Sequence, residues 1–412
     1  MPLPNPYITL GHAHYRAGQR AFRMSLNDRL MHLYIIGQTG AGKSSLIADL
    51  ARQDAEAGTG FCLIDPHGDL ASELTKTIGQ EHIYWDVAHP DCTYGYNPLT
   101  HVAAEHRPLV ASSLIDTLKK QWIDAWGARM EHLLRYAILA LLDQPDADLR
   151  DVLPLFIDNT ARERIVANIS DDQVREFWSV EFKALRYKGA TDGVAPIANK
   201  LGAFLSHPLV RRAVCEPKEP LRLRRIMDEG QHLIVNLATG RLGADTANVL
   251  GGLILSGFAH AGYSRAGMAF ADRRPFIVYT DEFPAFSSSA LAGMLPQLRK
   301  YGVGLVLAHQ YLDQLDRSLL SAILGNAGSM MIFRVGATDA PMLANQLGDV
   351  HPRDLIGLAN FECFARVMVD GTQSKPFSAF TRNPATDSLA ESPEGMGTVE
   401  DAAQWKDEEG TS

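Results

Sequence analysis

Two kinds of apolar spacing alternate along the chain and divide it into regions of different architecture. Short apolar runs occur at Leu33-Tyr34-Ile35-Ile36, Phe61-Cys62-Leu63-Ile64 and Ile83 to Val87. They resume at His232 to Leu237, Phe276 to Thr280, Val303 to Ala308, Met330 to Phe333 and Cys363 to Val369. Being apolar at consecutive rather than alternate positions, they predict strands covered on both faces, the condition of a parallel sheet. Stretches between them carry three- and four-residue spacing. Ser45 to Ala55 puts Leu46, Ile47 and Leu50 on one helical face and is closed by Gly58-Thr59-Gly60, and Ala247 to Ala261 is a second, glycine-interrupted helix.

From His101 to Arg225 the strand runs stop. Trp122, Trp126, Met130, Leu133, Leu134, Ala137 and Leu141 recur at helical spacing, and Leu149 to Phe156 and Gln173 to Leu185 also predict helices. The pattern therefore predicts an α/β core interrupted by an all-α insertion. The divisions are a small β appendage at 1–30 with strands Tyr7 to Leu10 and Ala21 to Met24, core segments at 31–100 and 226–384, the insertion at 101–225, and a disordered tail at 385–412. The aromatic stripe of the insertion reads as helix packing or as a stacking platform for bases, with packing favoured.

At 412 residues with 46% hydrophobic content, the chain can build more than one core. The formal charge of −9 is unevenly placed: beyond Pro384 eight acidic residues face Lys406 alone, so the tail carries −7 and the body is nearly neutral. Such a body can still concentrate positive charge. Basic residues cluster at Lys183, Arg186, Lys188 and Lys200, and again at Arg211, Arg212, Lys218, Arg222, Arg224 and Arg225; each cluster reads as a solvated face or as a DNA contact. Cys62, Cys92, Cys215 and Cys363 have no metal-ligand spacing and predict free thiols in a reducing compartment. No apolar run is long enough to span a bilayer, and the first ten residues do not read as a leader, so a cytoplasmic protein without a membrane span is expected.

The chemistry-bearing stretch is Gly37-Gln38-Thr39-Gly40-Ala41-Gly42-Lys43-Ser44, set between an apolar run and a helix. Glycines at this spacing let the backbone turn so that successive N–H groups and a helix N-terminus face a polyphosphate. Lys43 is then expected to reach the β and γ phosphates, Ser44 to hold Mg²⁺, and the stretch from Gly37 to Ser45 to contact ATP. Asp281-Glu282 ends a buried run: Asp281 is expected to serve the metal and Glu282 to activate water. Gln310, at the end of another run, is placed to contact both the γ phosphate and the water. Asp65-Pro66-His67-Gly68-Asp69 sets a charged cluster, with Asp65 first, on the ligand side of a parallel sheet.

These residues, with Asn97-Pro98-Leu99 and His309-Gln310, resemble the HerA/FtsK superfamily of hexameric DNA-pumping ATPases, and within it the type IV secretion coupling proteins and their soluble relatives. The similarity runs from about Ile8 to Val369 and includes Trp126-Gly127-Ala128-Arg129, Asn236-Leu237 with Gly240, and Gly325-Asn326. It implies a RecA-like P-loop NTPase core with a mostly parallel sheet, an all-α domain on one face, and assembly as a ring, a hexamer, that moves DNA. It also implies a secretion-system or relaxosome-type partner and a location at the periphery of an inner-membrane secretion complex; the acidic tail with Trp405 reads equally as a docking segment for such a partner or as an inert solubilising tail. Arg299 matches the position of a trans-acting arginine in coupling proteins, with Arg334 as its competitor. Coupling proteins usually begin with membrane-spanning helices and HerA proteins with a β-barrel, whereas about thirty residues precede the first core strand of this sequence, a departure from which neither membrane docking nor a HerA-style nuclease partnership is expected. Three readings stay open: a DNA translocase, a ring ATPase that energises or recruits protein substrates, and a monomeric NTPase switch.

Overall fold

The structure is a computed structural model that describes residues 7–15, 18–100, 102–184 and 193–382. The acidic tail, Trp405, Arg186 and Lys188 therefore lie outside the described residues.

Eleven strands form the main sheet: β1 (Tyr7–Tyr15), β2 (Gly18–Ser25), β3 (Leu33–Ile36), β4 (Gly60–Asp65), β5 (Ile83–Asp86), β6 (His232–Asn236), β7 (Phe276–Thr280), β8 (Val303–His309), β9 (Ser329–Ile332), β10 (Glu362–Arg366) and β11 (Phe377–Phe380). Their order is β2-β1-β11-β10-β9-β3-β8-β7-β4-β6-β5. The seven strands from β9 to β5 run parallel. The parallel sheet expected from the apolar runs is thus extended on one side by an antiparallel flank, β10-β11-β1-β2.

That flank adds one junction and one correction to what the apolar runs predict. The small β appendage read at 1–30 joins the main sheet, because His12 and Ala13 of β1 pair with Phe380 and Ala379 of β11. The segment read as one final strand from Cys363 to Val369 ends its sheet pairing at Arg366, and β11 follows as a further strand. The short, half-buried Phe-Ser-Ala-Phe run after Pro376 lacked the continuous apolar signal of the central strands.

Period-two alternation sorts the central strands between two cores. Leu33, Ile35, Phe61, Leu63, Ile277 and Tyr279 face one side, where α1 (Lys43–Ala57) and α2 (Asp69–Thr77) contribute Leu46, Ile47, Leu50 and Leu74. Tyr34, Ile36, Cys62, Ile64 and Val278 face the other, which is covered by α3 (Arg107–Gln121), α4 (Ala128–Leu142), α5 (Val194–Ser206), α6 (Ala244–Tyr263) and α7 (Ser289–Leu298). The predicted helical stripe is packing core: Trp122, Met130, Leu133, Leu134, Ala137 and Leu141 are buried, and Trp126 donates its indole N–H to Glu131 at 2.9 Å. Cys62 and Cys363 are buried free thiols. Among the described residues no helix is long and apolar enough to cross a membrane.

Behind the site described next, Arg29 makes a bidentate ion pair with Asp54 of α1, both bonds 2.6 Å, and donates to the Tyr279 hydroxyl of β7 at 2.8 Å. Tyr279 in turn donates to Asp54 at 2.6 Å. All three are buried, so this network fixes α1 against β7 with every charge matched.

Candidate functional site

In a parallel sheet every strand delivers its following loop to the same edge. At that edge β3 feeds Gly37–Ser44 into α1. Gly40 and Gly42 take φ of 77° and 115°, the left-handed region open to glycine, and Gly42 caps α1 without a side chain, leaving the first helical N–H groups facing out. The loop is fastened to both neighbouring strand ends: Gly37 N–H donates to His309 O at 3.2 Å and Gln38 N–H to Arg334 O at 2.8 Å. Phe361, itself at φ 68°, donates its N–H to Ala41 O at 2.8 Å. Gly37 could not be larger, since a Cβ there would lie 2.6 Å from that of Phe333.

Lys43 is 5% exposed and donates to Gly37 O at 2.7 Å and Gln38 O at 3.2 Å, spanning the loop it belongs to. Burial pushes its pKa down against the pull of Asp281 and Glu282. Ser44 donates to Asp281 Oδ2 at 2.8 Å, joining the loop to the end of β7. Burial pushes the Asp281 carboxyl up, opposed by Ser44 and reinforced by Glu282. Glu282 sits in the left-handed region at φ 49°, a strained conformation for a residue with a side chain, and its Oε1 accepts from Gln310 Nε2 at 2.6 Å. Gln310 follows His309, whose ring nitrogens lie 2.7 Å from the Tyr34 hydroxyl and 3.2 Å from Gln314 Oε1. Thr39 and Gly40 are exposed at the tip of the loop, and Ser45 is half-buried in the first turn of α1.

The remaining candidates separate. Asp65 lies close enough to Asp281 to affect its titration, yet both its oxygens are occupied, by His67 N–H and Ala71 N–H at 2.9 Å each. It holds the turn into α2 rather than presenting a free oxygen to a ligand. Arg334 lies on its own loop, donating to Gln38 Oε1 at 3.3 Å and Leu358 O at 3.2 Å. Arg299, exposed in the turn before β8, is at the opposite edge of the sheet, beside a cleft of about 520 Å³ lined by His32, Asn326 and Gln373. Phe361 and Tyr34 are functional neighbours without a local signal in the sequence: the first is a strained backbone position and the second a partner found 275 residues away.

Open helical N–H groups beside an ammonium suit a polyphosphate, and the Ser44 hydroxyl paired with Asp281 suits a divalent cation. No group of three or more His, Cys, Asp or Glu among the described residues could hold a metal alone. Mg²⁺ takes few protein ligands and completes its shell with phosphate and water, as the Ser44–Asp281 pair allows.

Comparison with known structures finds the same fold in conjugative coupling proteins. An unbound form of the bacterial conjugative coupling protein TrwB superposes with a TM-score of 0.63 at 15% identity, over 87% of this chain and 86% of that one. TrwB in complex with ADP and Mg²⁺ gives 0.63 at 16% identity, over 87% of each chain. VirB4 of Thermoanaerobacter pseudethanolicus gives 0.59 at 16% identity, over 91% of this chain and 96% of that one. The RecA-like P-loop fold with inserted helices is thus the architecture present. No curated protein matches the chain by sequence. The family model of the helicase HerA central domain matches residues 9–239, more than half of the chain, and the protein belongs to that family.

Proposed function

We propose that this protein is an ATPase that works as a ring, a hexamer, and moves DNA in conjugative transfer or mobile-element processing, in the cytoplasm at the periphery of a secretion complex. The observation that carries the hydrolytic part is the convergence on one phosphate loop of the Ser44–Asp281 pair and the Glu282–Gln310 pair. The fold shared with TrwB, which binds ADP and Mg²⁺, supports the same reading.

In this reading Ser44 and Asp281 hold Mg²⁺, while Lys43, Thr39, Gly40, Ala41 and the N–H groups through Ser45 hold the phosphates. Held there, Mg²⁺ would supply neutralisation of the charge that develops on the phosphates. Lys43 has to leave the carbonyls of Gly37 and Gln38, exchanging two neutral acceptors for an anion. Glu282 accepts a proton from the attacking water. Gln310, now bonded to Glu282, releases it on turning toward the γ phosphate and the water. Arg299 has no route to its own loop and acts on the next subunit's nucleotide. Arg334 reports on the loop of its own chain.

A second reading, a ring ATPase for protein substrates, draws on one observation. Four members of the second basic cluster are engaged within the chain: Arg211 with Leu205 O, Arg212 with His89 O, Arg224 with Asp228 and Arg225 with Glu229. The deciding measurement is the ATPase rate with and without single- and double-stranded DNA. Stimulation supports the DNA motor; a rate indifferent to every nucleic acid supports the second reading. The mass of the nucleotide-bound protein in solution separates either ring from a monomeric switch.

A further inference from the structure

Glu282 keeps its left-handed backbone only if the residues after it are held firmly. Those residues form one turn, Phe283–Ala285, and lead through Ser288 into α7 and on to Arg299. Their N–H groups are used within the turn: Ala285 donates to Glu282 O at 3.1 Å, Phe286 to Phe283 O at 3.2 Å and Ser287 to Phe283 O at 2.9 Å. Phe283 is buried with its ring edge-on to His309, and Phe286 is buried against α6, where a Cβ on Gly251 would lie 2.8 Å from its ring.

Among the carbonyls of this segment, those of Pro284, Ala285 and Ser287 are each taken by the last turn of α3. Lys120 donates to Pro284 O and, at 2.5 Å, to Ser287 O; Gln121 donates to Ala285 O at 3.0 Å. Gln121 is itself fixed from α6 by Asn248, 3.4 Å away. The preceding residue turns the other way: Lys119 pairs at 3.1 Å with Glu131 of α4, which also binds Trp126 and Arg135. Two consecutive side chains of α3 thus connect the helical insertion to the segment directly behind Glu282, while Lys119 beside them fastens α3 to α4. Burial of the Lys120 ammonium lowers its pKa, with Asp316 opposing, a cost accepted for two neutral acceptors.

We propose that Lys120 and Gln121 are positioning residues that hold the Pro284–Ser287 carbonyls, set Glu282 for water activation, and tie its placement to the helical insertion. This rests on the hydrolytic role given to Glu282 above. A lysine and a glutamine suit the task because their long stems reach across to backbone acceptors without bringing a further carboxylate to the site.

The test uses the full chain with Lys120→Met, Gln121→Leu, Lys120→Arg and, as a reference, Glu282→Gln. Steady-state hydrolysis, affinity for a non-hydrolysable ATP analogue, and amide hydrogen exchange are read for each. Lys120→Met should lower kcat about 10-fold, the scale of a small misplacement of a catalytic group, with analogue affinity within about twofold of the parent. Exchange should quicken over 283–288 while α1 stays protected. Lys120→Arg, which keeps the donors, should recover most of the rate, and Gln121→Leu should lie between. A parental kcat in Lys120→Met beside an inactive Glu282→Gln overturns the inference. So does a loss of analogue affinity or of α1 protection together with the rate, because that is general loosening. If Glu282→Gln itself hydrolyses ATP at the parental rate, the underlying reading of the site fails instead.

Discussion

The two ends of the parallel strands are built from the same chain segments and differ in what they leave unfinished. At the N-terminal edge His32 and Arg265 turn their polar groups to backbone partners within the protein. His32 Nε2 lies 2.9 Å from Leu295 O and its Nδ1 accepts from Leu305 N–H at 3.1 Å, while Arg265 donates to Arg274 O and Tyr301 O. At the C-terminal edge, α1 begins without a side-chain cap, Lys43 makes do with two loop carbonyls, and three carboxylates crowd at Asp65, Asp281 and Glu282. A sheet edge finished in this way is a scaffold, and one left with open donors beside crowded carboxylates is prepared for a charged ligand. Arg299 stands apart at the N-terminal edge, exposed beside an open cleft.

The largest effect should come from breaking the unfinished edge itself. Glu282→Gln is expected to keep nucleotide affinity and lose about 10³-fold in turnover, in the range of general-base removal. Lys43→Ala should lose nucleotide binding first. Calorimetric binding and hydrolysis assays on the two variants separate the defects; equal loss of affinity in both would dissolve the division of labour between Lys43 and Glu282.

A loss of similar size from the opposite edge would sharpen the comparison. Arg299→Ala should retain affinity and lose about 10³-fold in turnover if the arginine acts across a subunit seam. Arg334→Ala should instead weaken nucleotide binding, since Arg334 braces its own loop. Rings mixed from Arg299→Ala and Lys43→Ala chains should regain activity, because one seam then pairs an intact loop with an intact arginine. No recovery in mixed rings of confirmed composition would leave Arg299 without a role in trans.

Acid should weaken both edges together. His32 at one edge and His309 at the other are buried, and burial pushes each pKa down to about 4. The unfolded chain binds a proton at each ring near pH ~6.5, so the stability these groups confer is full above that pH. It falls as pH drops toward 4, by about 1.4 kcal/mol per pH unit for each ring. Melting temperatures measured from pH 7 to pH 5 check this, and His32→Gln should flatten the slope.

The smallest effect distinguishes function from stability at a single carboxylate. Because burial raises the Asp281 pKa, its ionised form costs stability, and that cost grows as pH rises through the shifted value. Asp281→Asn should therefore raise the melting temperature of the nucleotide-free protein by about 1–2 °C at neutral pH, lose the gain in acid, and abolish Mg²⁺-dependent hydrolysis. An unchanged or lowered melting temperature would argue against a site kept at the expense of stability.

Much of this was legible along the chain because it depends on local order. Consecutive apolar residues demand cover on both faces, so the central strands could be read from Leu33, Phe61 and Phe276 onward. The phosphate loop is contiguous, so Gly37 to Ser44 carries its own geometry. Glu282 and Gln310 could be named as candidates because each follows a buried run. That they bond to each other, that Lys43 spans its own loop, and that Asp65 spends both oxygens on a turn depend on which strands become neighbours. Neighbourhood is set by the order of the sheet, in which β8 lies between β3 and β7 although about 270 residues separate β3 from β8. The antiparallel flank was misread because a half-buried strand such as β11 is stabilised by its partners rather than by its own composition. Periodicity and contiguous motifs act over a few residues, where backbone geometry alone relates one side chain to the next. Lys120 beneath Pro284, and Arg299 at the edge away from Lys43, were decided only when packing brought distant segments together, because that choice is made by the whole core at once.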